Sequence, residues 1–135
     1  MDIVKKYALR VKLYKVEKEA VFIQAILCEL LNKSEKKYRL VQGFCTAHGE
    51  SCYHVWVKND ATSEDIDVIR HLFPEYQTVL TQEQVPGSTP LKDQLTVDLF
   101  ELYESGEQKD FWKKAPKKVL DFRSKCHSLV SKSSC

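Results

Sequence analysis

The chain has 135 residues, of which 43% are apolar and 30% charged, with a net charge of +2 and five cysteines. That length suits one domain able to bury roughly 65–70% of its unfolded surface, so neither a disulfide nor a metal is required merely to fold. The near balance of charge excludes the clustered basic excess of a nucleic-acid binder, and the odd cysteine count, with no hydrophobic leader core and no apolar run of about 20 residues, predicts a soluble, cytoplasmic protein with free thiols and no membrane span.

Residues 2–17 carry two patterns. Ile3, Val4, Tyr7, Ala8 and Val11 recur at helical spacing, whereas Leu9, Val11 and Leu13 alternate with Arg10 and Lys12. The segment reads as a helix, or as a helix followed by a short strand. Residues 18–33 are a helix: Ala20, Ile23, Leu27, Leu30 and Leu31 follow the i, i+3, i+4 rule, and Phe22, Ile26 and Cys28 widen the apolar face. Three strands follow, in KKYRLVQGFC, YHVWVK and EDIDVI. In the second, Val55 and Val57 share one face, and His54, Trp56 and Lys58 share the other, which alternation leaves exposed. In the third, Ile66 and Val68 oppose Asp65 and Asp67.

Residues 71–90 are irregular around Pro74 and PGSTP, with TVLTQ as a further short strand. A helix is predicted over 91–102, stopped by Ser105-Gly106, and an amphipathic helix over 108–130, broken near Pro116. Residues 131–135 form a frayed tail. The sum is a single α+β domain over 1–130, with an N-terminal helix packed on an antiparallel sheet of three to four strands and further helices at the C-terminus.

Four metal-type residues crowd one stretch: Cys45, His48, Cys52 and His54. These are zinc-ligand types, and their positions around a hairpin suit a zinc-stabilised interaction module. Structural zinc sites usually draw their ligand pairs from segments well apart, so the same residues also read as a hairpin with two packed thiols and a solvent-facing His48. No cofactor other than zinc is suggested.

The run Tyr38-Arg-Leu-Val-Gln-Gly-Phe44, a polar loop, His54-Val-Trp-Val57, another loop and Ile66-Asp67 resembles the transglutaminase-like superfamily of papain-like cysteine enzymes, over residues 18–68. The resemblance implies a helix packed on a sheet, with His54 as the base, Asp67 as the residue orienting it, and Trp56 as a cleft wall beside Asp65. It implies thiol-dependent hydrolysis or acyl transfer at amide bonds, with a protein or peptide as substrate. The family's nucleophilic cysteine begins the helix; Ala20 and Val21 stand there instead, and Cys28, deeper in the helix, is its one cysteine. The expectation is therefore either a thiol enzyme or a catalytically degenerate binding relative. A zinc module and a structural protein with no site remain the alternatives.

A basic run near the C-terminus (Lys113, Lys114, Lys117, Lys118, Arg123, Lys125) is interleaved with Phe111, Trp112 and Phe122. Neighbouring acids dilute its field, so the expected reading is the solvated face of a helix, with Trp112 docked on the core. The oligomeric state is left open by the sequence.

Overall fold

The computed structural model describes residues 3–47, 50–73, 94–106 and 108–133, and the side chains of all of these except 44–47, 50–52, 94 and 128–133. The expected strand in TVLTQ and the first residues of the helix predicted from 91 lie outside the described residues.

The first segment is helical only: α1 spans Ile3–Leu13. A strand would place Leu9, Val11 and Leu13 on one face, but Val11 is fully buried while Leu9 and Leu13 are 68% and 70% exposed. The 3.6-residue period wins because Tyr7, Ala8 and Val11 together make one face that the core can cover. The helix closes with Lys15 in the left-handed region at φ 56. Lys15 N–H donates to Lys12 O and Val16 N–H donates to Val11 O, which together form a Schellman cap. Val11 and Val16, both fully buried, supply its hydrophobic contact.

Helix α2, Ala20–Asn32, is the centre of the molecule. It is buried nearly all round, packing on both long strands and on four other helices. A helix so placed must be apolar on every side, and AVFIQAILC meets that need at every position but Gln24. At its C-terminal end Asn32 behaves like a strand residue: its Nδ2 donates to Tyr38 O at 2.9 Å, and its Oδ1 accepts from Tyr38 N–H at 3.0 Å. This clamp sets the angle at which the chain enters the sheet.

The sheet is an antiparallel meander of β1 (Tyr38–Ala47), β2 (Glu50–Asn59) and β3 (Asp65–Ile66), in the order β1-β2-β3. Register runs from Tyr38 opposite Asn59 to Ala47 opposite Glu50, and Val57 pairs with Ile66. Leu40, Val55 and Val57 join the core that contains α2. The alternate positions Val41 and Trp56, opposite one another, are also buried, at 2% and 1% exposure. The expectation that His54 and Trp56 line an exposed face is therefore corrected.

The third strand is shorter than expected. Only Asp65 and Ile66 pair with β2, and the chain then turns into a five-residue helix, α3 (Val68–Leu72), capped by Asp67. The remaining helices are α4 (Gln94–Glu104), α5 (Gln108–Lys113) and α6 (Lys117–Ser133), with the break at Pro116 between the last two. Backbone helix continues to Ser133. Phe111, Trp112 and Phe122 are all buried, which removes the surface aromatics from the basic run. Arg123 is also drawn into structure: its guanidinium lies 4.0 Å from the Trp112 ring centroid and makes a two-pronged pair with Glu29 at 2.9 and 2.8 Å. The fold is α+β, as expected. Among the described residues, no helix is long and apolar enough to cross a membrane.

Candidate functional site

The site is built where β2, the β3–α3 junction and α2 meet. β2 presents His54 opposite Gly43 of β1. The junction presents Asp67, whose extended backbone (φ −136, ψ 102) ends the strand while its side chain starts the helix. Asp is favoured at such a position because its carboxylate accepts a backbone N–H that the first helical turn cannot satisfy. Here Oδ1 accepts from Ile69 N–H at 3.0 Å.

The same carboxylate takes two side-chain donors. Gln24 Nε2 donates to Oδ1 at 2.5 Å, and His54 Nε2 meets Oδ2 at 2.6 Å. Gln24 Oε1 in turn accepts from Val68 N–H at 3.4 Å. His54 and Asp67 are each 6% exposed, and Gln24 is fully buried. A buried polar group is tolerated only when it is bonded, and Gln24 and His54 both bond Asp67. With Asp67 as acceptor, Nε2 of His54 carries the proton and Nδ1 is the basic ring nitrogen. An imidazole oriented in this way by a carboxylate is the base-and-orienter half of a triad.

The network continues along the strand. The His54 and Trp56 rings stack with centroids 5.8 Å apart and 21° between planes. Trp56 Nε1 donates to Asp65 Oδ1 at 2.8 Å, and Lys58 Nζ lies 3.3 Å from the same oxygen. Trp56 thus packs against the imidazole as a buried plate rather than as an open wall. A cavity of about 380 Å³ opens beside the network, lined by Glu64, Asp65, Asp67, Arg70 and His71 among others.

Of the residues singled out as nucleophile and as metal ligands, His54 belongs to this network and Cys28 does not. Cys28 is on α2, one helical turn past Gln24, and is 2% exposed. It borders a different cavity, of about 300 Å³, with Asn32, Tyr38, Leu40 and Tyr103. Burial pushes its thiol up to about 11, against the opposing pull of hydrogen bonds from Tyr103 and Asn32. A thiol so placed is a packed core group rather than a thiolate. At the start of α2, Ala20 and Val21 present no nucleophile. His48 and the side chains of Cys45 and Cys52 lie outside the described residues; the backbones of Cys45 and Cys52 are directly paired across β1 and β2. Among the described residues, no group of three or more His, Cys, Asp or Glu side chains could hold a metal ion.

Sequence reasoning did not single out Gln24. Its signal is a lone amide inside AVFIQAILC, a polar residue that a helix buried on all sides must pair with something. Comparison of the chain with protein-family models, with curated proteins and with solved structures returned no match.

Proposed function

We propose that this is a transglutaminase-like domain that has kept the imidazole–carboxylate half of a cysteine-enzyme centre without the thiol half, and that it binds a protein or peptide rather than cleaving one. One observation carries this reading. Asp67 holds His54 by Nε2 in the orientation a general base needs, while the helix facing the pair begins with Ala20 and Val21. The one cysteine of that helix borders another cavity, and burial raises its thiol to about 11. A catalytic cysteine needs a lowered pKa and a base within hydrogen-bond reach. Cys28 is raised, and its bonding partner on α2 is Asn32.

A second reading, a thiol-dependent amide hydrolase or acyltransferase, draws support from the register alone: Cys52 precedes His54 by two residues on β2, and Cys45 lies opposite Cys52. Labelling with iodoacetamide at mildly acidic pH, followed by peptide mapping, separates the two. Slow alkylation of every thiol that reacts in the folded chain, unchanged by His54→Ala, is the expected result. Rapid alkylation of one cysteine, abolished by His54→Ala while the fold is retained, would replace the binding reading with the enzymatic one.

A further inference from the structure

We propose that Cys45 and Cys52 form a redox-responsive pair that closes to a cross-strand disulfide, with a low-molecular-weight disulfide of the glutathione type as oxidant. The backbone carries the inference. β1 and β2 pair antiparallel with Cys45 directly opposite Cys52, two residues along from the Gly43–His54 pair. Directly opposed residues of such a pair have Cα atoms about 4.5–5.5 Å apart. A disulfide spans Cα separations of about 4.4–6.8 Å. The Asp60 N–H to Lys37 O bond sets the phase of the ladder and makes this a hydrogen-bonded pair, about 5.5 Å apart, so the two Cα atoms lie within the span of a disulfide.

Among the described residues, the other cysteines offer little competition. Cys28 and Cys126 are free and buried, at 2% and 4% exposure. Burial holds both thiols up at about 11, which leaves few thiolates to attack a disulfide at neutral pH.

The chemistry balances in two exchanges. The thiolate of one strand cysteine attacks a sulfur of glutathione disulfide, forming a mixed disulfide and expelling one glutathione thiolate. The thiolate of the opposite cysteine then attacks the protein sulfur of that mixed disulfide. An Sγ–Sγ bond forms, and a second glutathione thiolate leaves. The two electrons lost by the cysteines reside on the two glutathiones, which also take up the two protons.

The consequence falls on the site. A one-residue slip of a strand pair reverses which side chains face the core. A covalent link two residues from the Gly43–His54 pair fixes the register that delivers His54 to Asp67. This inference is independent of whether the domain binds or cleaves its partner.

The test uses the full chain, fully reduced and then equilibrated in buffers of graded glutathione to glutathione-disulfide ratio. Samples are quenched with iodoacetamide and analysed by intact mass and by peptide mapping. The expected product lacks the two carbamidomethyl groups that Cys45 and Cys52 take up in the reduced chain, gives a Cys45–Cys52 linked peptide, and appears part-way through the buffer series. Cys28 and Cys126 should become alkylated only after denaturation. The Cys45→Ser variant should stop at a glutathione adduct on Cys52, a control readable even if its stability falls. A chain that stays reduced in glutathione disulfide alone, a wild-type adduct that never closes, or a link to another cysteine would overturn the proposal.

Discussion

Replacing Asp67 with Ala removes one acceptor from three donors at once: Ile69 N–H at 3.0 Å, Gln24 Nε2 at 2.5 Å and His54 Nε2 at 2.6 Å. Loss of the cap costs about 1 kcal/mol. Each buried side-chain donor left without an acceptor costs about 1–3 kcal/mol. Asp67 borders a cavity that water can enter, which favours the low end of that range, about 1–1.5 kcal/mol for each. The expected loss is therefore about 3–4 kcal/mol, a large share of the roughly 5–15 kcal/mol that holds a domain folded. For a chain of this length that lowers Tm by roughly 10–15 °C. Urea unfolding followed by tryptophan fluorescence measures it, with Trp56 beside the site as reporter. A double-mutant cycle with Gln24→Ala should return a coupling of about 1 kcal/mol or more, because the two share one bond. A loss below about 1 kcal/mol with additive single variants would refute the claim that this carboxylate organises the site.

Other perturbations have defined outcomes. Lys15→Gly should stabilise the fold by about 0.5–1 kcal/mol, since glycine occupies the left-handed region of the α1 cap without the Cβ penalty; thermal denaturation checks it. Arg123→Lys keeps the charge but loses both the fork on Glu29 and the stacking on Trp112. A cost of about 1–2 kcal/mol is expected in chemical denaturation. Burial raises the thiols of Cys28 and Cys126 from 9.0 to about 11, so between these values the folded chain holds protons that the unfolded chain releases. Their stabilising contribution is full below about pH 9 and is lost as pH rises through about 11. Urea midpoints should fall over that window, and less steeply in Cys126→Ala.

Much of the fold is legible in local pattern because the pattern is strong. Alternation in YHVWVK and the apolar period of residues 18–33 each admit one solution, and Pro116 breaks the last helix where a missing N–H demands it. The first segment does not resolve in the same way, because Val11 satisfies both a helical and a strand period. Only packing chooses, by burying Tyr7 and Ala8 with it and leaving Leu9 and Leu13 in solvent. The β3–α3 junction misleads for a related reason. EDIDVI alternates like a strand, yet Asp67 is worth more as a helix cap than as a strand residue.

The site was half visible. His54 and Asp67 stand out as residue types at a recognisable spacing, but the third member does not. Gln24 looks like one polar lapse in an apolar helix until tertiary structure brings α2 against the β3–α3 junction. The burial of Trp56 was equally hidden, since alternation tells which residues share a face but not whether that face is covered. Cys28 shows the converse. Its position in an apolar helix already pointed to a packed thiol, and the cavity it borders lies away from the imidazole.

Asp67 fixes the His54 ring through Nε2. Nitrogen-15 NMR of the histidine side chains at neutral pH tests it most directly. A single His54 tautomer protonated at Nε2, with its proton slow to exchange and lost in Asp67→Ala, is the predicted spectrum. A His54 ring protonated at Nδ1, or averaging rapidly between tautomers in the folded wild-type chain, would contradict it.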